Sequence, residues 1–436
     1  MKHLPMSLRR PSQRGAATLV VVMVLFLVMA LLAAYANRSL MFEQRISGSY
    51  YRASLAQEMA EAGVDWTVAM LNGEATNTAC QPVATGGTRL LDRYMEFSPA
   101  DRAAKARSST PTNLAADCVR GANGLVCRCP DPDTSTTQPA TTVQGNLVPS
   151  FGLKMGTDAT QQYSAFSVNS LGCTDSSVDR CTAGAEARSQ GVMGAVELQA
   201  AIGFIGAVPS SPASPLTVKG RLTTAGTGCL GLHNTDPGTA GMLVISGGPA
   251  PALIDARMNT TPGTPPAQAR LFNDSALLAL GDTQFFQTYM GMTPGRYRNH
   301  PALREVACPA GGDCGPNLLA AYDAGRNVLW VQGPMQISSN VIIGTAARPL
   351  LIIANGAVTL SGAFELSGMI VSLGNLDWTN TSGLTSRING MVLVQGDMTA
   401  TGGMDIAYRQ DIANQLRNRV GSFARVSGGM RDGTID

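Results

Sequence analysis

Charge is what this chain has least of. Of its 436 residues only 14% are Asp, Glu, Lys or Arg, aromatic residues make up 5%, and there are three histidines. The formal net charge is +2, so nothing in the overall balance draws the protein to nucleic acid. His3, His233 and His300 are too few and too scattered for a His-x-x-x-His or His-Glu-x-x-His metal site. A Gly-x-Gly-x-x-Gly match at Gly226, Gly228 and Gly231 runs into His233-Asn-Thr-Asp-Pro-Gly. That is a poor helix start, so the glycines read as turns rather than a phosphate cradle. Cys118, Cys127 and Cys129 have no structural zinc spacing and no histidine nearby. Asp131 with Asp133, or Asp175 with Asp179, offer oxygen ligands but lie in no twelve-residue calcium loop. We therefore assign no catalytic residue, no metal and no cofactor, and expect a structural protein rather than an enzyme.

Glycine, alanine, threonine and serine fill the space that charge leaves, a mix that suits β-rich exported material. All nine cysteines fall after the first 79 residues. Cys173 and Cys181 bracket a polar loop, and Cys308 and Cys314 bracket Pro-Ala-Gly-Gly-Asp. In an oxidising compartment both pairs are candidate disulfides; in a reducing one they are unpaired thiols. The partners of the others do not follow from the sequence, and the odd count leaves one thiol over.

Long apolar runs are rare but one is decisive. Ala16–Ala36 is uncharged throughout and as a helix would be roughly 30 Å long, the thickness of a bilayer core. Lys2, Arg9, Arg10 and Arg14 precede it without an acid, which keeps the N-terminus cytoplasmic and sends the bulk of the chain across. A removable secretory signal has a core of about 7–15 residues with small residues after it. Here the core is longer, and the small residues Gly15-Ala16-Ala17 come before it. The helix should continue to Asn72-Gly73, because Phe42, Ile46, Ala53, Ala56, Ala60, Val64, Val68 and Leu71 form an amphipathic stripe free of proline.

Gln13-Arg-Gly-Ala-Ala-Thr-Leu resembles the leader of type IV pilins. Leu55-Ala-Gln-Glu-Met-Ala-Glu-Ala-Gly-Val resembles the corresponding stretch of PilX-type minor pilins. The resemblance implies cleavage by prepilin peptidase between Gly15 and Ala16, with the helix retained. Val20 stands where major pilins carry glutamate, a departure that points to a minor pilin. Val20, Leu25 and Leu32 would then belong to the helix-core interface of a fibre. The implied partners are other minor pilins, the major pilin, a tip adhesin and prepilin peptidase. The implied place is the inner membrane as a single-pass protein with a periplasmic body, then the pilus fibre at the cell surface, in cell adhesion. Two alternatives share parts of the pattern: a pseudopilin of a type II secretion system, and a signal-anchored periplasmic β-solenoid that binds or cleaves polysaccharide.

The fold class expected is α+β. We divide the chain into a leader (1–15), a transmembrane and amphipathic helix (16–73), a pilin-like head with loops and a small sheet (74–208), a linker with an irregular β-rich insert (209–320), and a solenoid-like region with a C-terminal cap (321–436). In the head, Leu90–Phe97 and Ala100–Ala106 read as short helices, and strands near Gln162–Val168 and Ala187–Ala200 as an antiparallel pair. Ser275–Tyr289 reads as helical. Four later segments align without gaps about Gly333, Gly356, Gly374 and Gly396. Met335, Val358, Leu376 and Met398 share one column, and Ile337, Leu360, Trp378 and Ala400 another, with polar residues between. Stacked strands with an inward apolar column follow. A period near twenty is that of a parallel β-solenoid, with a sandwich of similar strands as the alternative. Asp405–Val420 reads as a strand and an Arg-rich helix capping the open end, and Ser422–Asp436 as loose.

Overall fold

The computed structural model describes residues 14–83, 86–97, 104–107, 116–132, 147–156, 165–178, 181, 193–226 and 229–433. One helix, α1 (Arg14–Leu71), leads into a β-rich mixed α+β body. The two halves of α1 have different surroundings. Residues 17–47 are exposed on every face, whereas Ala56, Ala60, Val64 and Leu71 are buried. The amphipathic stripe is thus covered only from Ala56 onward; Phe42, Ile46 and Ala53 remain exposed. The reason is geometric: the lowest contact of the described head with the helix is Gly194 against the Arg52 backbone.

That sheet has six antiparallel strands in the order Gly421–Asp432, Ala195–Gly206, Ala165–Cys173, Ser150–Gly156, Ala116–Gly121, Gly124–Arg128. Helix and sheet meet through glycine. A Cβ on Gly172 would collide with the backbone at Ala56 and Ala60, and one on Gly63 with Ser170 and Phe151. Without side chains there, the helix backbone lies against the sheet. Trp66 packs on Phe151 at 5.9 Å between ring centroids, and Phe166, Val168, Leu153 and Ile202 complete this core. The expected antiparallel pair is present as Ala165–Cys173 against Ala195–Gly206, while 162–164 and 187–192 lie outside the described residues. Three expectations fail. Ser422 onward is not loose: Gly421–Asp432 is an edge strand of this sheet, paired with Ala195–Gly206, while 434–436 lie outside the described residues. Ala104–Ala106 is a strand paired with Met95–Phe97 rather than a helix, and the helix expected over Leu90–Phe97 therefore ends at Tyr94; 100–103 lie outside the described residues.

The remainder is built from two open parallel sheets. A narrow one runs Met335–Ile337, Val358–Leu360, Leu376–Asn380, Met398–Gly402, Leu222–Thr224. Met335 pairs with Val358, Val358 with Leu376 and Leu376 with Met398. These partners are the residues that the gapless alignment places in one column. All four are buried, and Thr359 and Asp377 between the columns are exposed. The aligned glycines also stack: a Cβ on Gly356 would lie 2.8 Å from the Gly333 carbonyl carbon, and one on Gly374 2.7 Å from the Ala357 nitrogen. Successive turns come too close there for any side chain.

The wide sheet has twelve strands and stacks the apolar runs before each glycine, Val328–Gln332, Leu350–Asn355, Phe364–Ser372 and Arg387–Val394, in parallel register. Its strands are apolar on both faces because both are buried. Leu329, Val331, Ile352, Ile370 and Val392 face the core shared with the narrow sheet. Trp330, Leu351, Ile353, Met369 and Leu393 face helices carrying Phe285, Phe286, Tyr297, Ile412 and Leu416. The expected helix Ser275–Tyr289 is two, Ser275–Ala279 and Asp282–Met290, parted at Leu280 and Gly281. The segments Leu216–Val218 and Leu230–His233 also join the wide sheet, beside Arg387–Val394 and Met404–Ala407.

The C-terminal helix Gln410–Asn418 is not an end cap. Its apolar face, Ile412, Ala413 and Leu416, lies on the broad face of the wide sheet. The end near Met335–Ile337 is covered instead by the helix Gly315–Asp323, whose Leu318 and Tyr322 enter the inner core. The Cys314 amide donates to the Gln336 carbonyl, which fixes this cap to the edge strand.

Candidate functional site: the exposed N-terminal helix

The largest unpartnered surface of the described residues is the first half of α1. It contains a helix stretch apolar and long enough to cross a membrane, with mean hydropathy 3.0 in its most apolar window and none of that window buried. A run of Val, Leu, Met and Ala forms a helix here because nothing interrupts it. Proline and glycine are absent from 17 to 47, and in lipid every backbone polar group must be satisfied within the segment. Val20 is 58% exposed, Leu25 54% and Leu32 64%. Leu25 and Leu32 lie seven residues apart on one face, and Val20 lies on another. Gly15 and Ala16 lie inside the first turn of α1.

Arg38 marks the first charge after the apolar run, and its guanidinium stacks over Phe42 at 5.7 Å from the ring centroid. Arg45 and Arg52 follow at intervals of seven. The helix therefore changes from lipid-like to interfacial within two turns, and then becomes a packing surface at Ala56.

Disulfides and polar clamps hold the body together beyond this helix. Cys173 is bonded to Cys181 and Cys308 to Cys314. Two further bonds, Cys80–Cys129 and Cys118–Cys127, link cysteines whose partners the sequence leaves open. Cys118 and Cys127 face each other across a hairpin. Cys229 is the free thiol. Arg93, buried beneath Cys80–Cys129, donates to the carbonyls of Thr76, Asn77 and Cys129, which organises the loop after α1.

One polar cluster was missed in the sequence. Asp405 accepts from Arg257 at 2.7 Å and lies 3.5 Å from His233 Nε2. The His233 contact, then Arg257, holds the Asp405 carboxyl below the usual range against the opposing effect of burial. The three residues come from separate segments brought together by parallel pairing of Leu230–His233 with Met404–Ala407, so no spacing in the sequence signals them. They tie strands together at the sheet surface. Among the described residues no group of three His, Cys, Asp or Glu is placed to hold a metal. Asp133, Asp179 and Gly228 lie outside the described residues.

The decisive comparison concerns α1 itself. Residues 14–65 match the family model of the PilX N-terminal domain. This stretch is thus similar to the N-terminus of PilX-type pilins. The match covers the exposed half of α1 and the beginning of its packed half. No curated protein and no solved structure matches the chain. The PilX-type assignment therefore rests on the helix, and the body is known from its own geometry.

Proposed function

We propose that this protein is a minor pilin that primes or joins a type IV pilus, acting as a structural subunit. The observation that carries the reading is the division of α1 into an exposed apolar half and a half packed on the head. An apolar helix that leaves lipid must exchange lipid contacts for helix contacts, and a bundle of such helices is the core of a fibre. In this reading Gly15–Ala16 is cut by prepilin peptidase, the body is periplasmic, and Val20, Leu25 and Leu32 meet neighbouring helices. Val20 leaves a neighbour's N-terminal amine without the carboxylate that major pilins offer, which favours a place at the end of a fibre. The partners are other minor pilins, the major pilin and a tip adhesin.

We read the two parallel sheets as a β-solenoid-like module that stiffens the exported body. A structural role is supported by the register of its acids. Asp377 stacks between Thr359 and Thr399, and the Asp397 amide donates to Asn375. No carboxylate is thereby set beside another, as a glycosidase pair requires. N-terminal sequencing of the protein recovered from its native host tests the reading. A start at Ala16 is expected; an intact Met1 would refute processing. Quantitative mass spectrometry of sheared fibres should find it far below the major pilin, and parity would refute the minor role.

A further inference from the structure

Between the head and the parallel body lies a cleft of about 320 Å³, lined by Gly73, Glu74, Pro82, Arg89, Asp323 and Arg348 among others. Its two guanidiniums come from different parts of the molecule. Arg89 precedes the short helix Leu90–Tyr94 of the head. Arg348 leads into the wide-sheet strand Leu350–Asn355. Arg348 is held in place on one side: it stacks over Tyr322 at 3.8 Å and donates to the Tyr322 carbonyl. The Tyr322 hydroxyl donates back to the Arg348 carbonyl at 2.8 Å. Its Nε is buried with no hydrogen-bond partner. Arg89 is half-buried, and among the described residues its guanidinium makes no hydrogen bond or ion pair.

Such an arrangement is costly by itself. A guanidinium offers five donors that water would otherwise satisfy, and the one buried donor left unmet here, Arg348 Nε, costs on the order of 1–3 kcal/mol. Burial foremost lowers the affinity of Arg89 for its proton; Asp92 opposes this, and the like charges of Arg348 and Arg419 add to it. The local acids relieve the pair only in part. Asp92 is engaged by Arg419 at 3.7 Å and Glu74 by Arg326 at 3.6 Å. Glu74 and Asp323 also line the cleft and are exposed.

We propose that this cleft is a binding site for a small oxyanion, a carboxylate or a phosphate or sulfate group, held between Arg89 and Arg348. A planar or tetrahedral oxyanion supplies acceptors for Arg89 and for the Arg348 donors that Tyr322 does not take, and cancels the repulsion of the pair. Because one arginine belongs to the head and the other to the parallel body, an occupant braces the joint between them.

The test uses the full-length chain in nonionic detergent. Its thermal unfolding is followed while sodium sulfate, sodium phosphate or sodium glucuronate is titrated at ionic strength held constant with sodium chloride. A saturable rise in melting temperature is expected with at least one of these anions. A tetrahedral preference assigns phosphate or sulfate, a glucuronate preference assigns a carboxylate. Arg89→Gln and Arg348→Gln should abolish saturation. Arg89→Lys, which keeps charge but loses the fork, should raise the midpoint about tenfold. Arg298→Gln, in an exposed ion pair elsewhere, should change nothing. Without added oxyanion, Arg89→Gln should melt no lower than the unaltered chain, since it removes a repulsion. The proposal is overturned by a rise that is linear and unsaturated with every anion, the behaviour of general salting-out, or by equal saturation in Arg89→Gln.

Discussion

Asn72 and Phe423, 351 residues apart, grip each other by two hydrogen bonds: the Phe423 amide donates to Asn72 Oδ1 at 2.8 Å, and Asn72 Nδ2 donates to the Phe423 carbonyl at 2.9 Å. Ser422 adds a third, at 2.9 Å to the same Oδ1. Asn72 follows the last residue of α1, and Phe423 lies in the C-terminal strand, packed on Phe166 and Phe204. Any force along α1 is therefore delivered to an edge of the head sheet. Asn72→Ala removes all three bonds and strands a polar group of the strand, at about 2–3 kcal/mol. The expected result is a lower melting temperature and earlier proteolytic loss of the C-terminal segment. Asn72→Asp keeps the acceptor and should lose less. Equal stability of Asn72→Ala and the unaltered chain would show the clamp to be idle.

The helix–sheet contact depends on Gly172. A methyl group there meets backbone rather than a movable side chain, so helix and sheet must separate. Gly172→Ala should cost about 1–3 kcal/mol, as overpacking does, and Gly172→Val more. Near-ultraviolet dichroism should weaken as Trp66 moves from Phe151, while the α-helical far-ultraviolet signal persists. Native dichroism in Gly172→Val would contradict the tight contact.

Legibility in the sequence follows physical coupling. The four-segment alignment about Gly333, Gly356, Gly374 and Gly396 names the paired residues correctly, because in parallel register equal positions stack and share one environment. The exposed half of α1 was equally legible, since membrane length and charge are local properties. The C-terminal strand was not: Arg425-Val-Ser-Gly-Gly-Met-Arg has no clean alternation, and a bulge interrupts it between Arg425 and Met430. Leu216-Thr-Val reads as a short apolar run, but its place in the wide sheet was not legible, because its neighbour Val392–Val394 lies far along the chain. Arg89 and Arg348 likewise meet only through the tertiary fold.

Disulfide chemistry separates the long bond from the short ones. Cys80–Cys129 spans 49 residues, whereas Cys173–Cys181 spans 8. Chain-entropy reasoning assigns about 4 kcal/mol to the first and about 2.5 kcal/mol to the second. Cys80→Ser/Cys129→Ser should thus lower the melting temperature more than Cys173→Ser/Cys181→Ser. Alkylation of the unfolded, unreduced chain should label Cys229 and no other described cysteine; labelling of Cys308 or Cys314 would contradict their bond.

Asp405 gives the body an acid-sensitive tie. Its carboxyl is held below its ordinary value of 3.8 by His233 first and Arg257 second. A depressed carboxylate contributes stability that is fully present above the unfolded value and lost as pH falls through the folded one. Stability of the unaltered chain should therefore decline below about pH 4 more steeply than that of Asp405→Asn, which is less stable at neutral pH. Superimposable acid limbs in chemical denaturation would remove Asp405 from the account.

Val20 is the position at which the minor-pilin reading is most directly altered. In the membrane segment it is flanked only by apolar residues and is open to a neighbour. A carboxylate there is costly in lipid, and that cost is offset only when a cationic amine of an adjoining subunit pairs with it. Val20→Glu should consequently leave the folded body unchanged, lower the residence of the isolated subunit in the membrane, and raise its copy number in fibres severalfold. Quantitative mass spectrometry of sheared fibres reads the copy number, with Val20→Gln as the uncharged control. If Glu and Gln variants enter fibres equally, the missing carboxylate does not set the copy number that the minor-pilin reading expects, and that number must be set by the head.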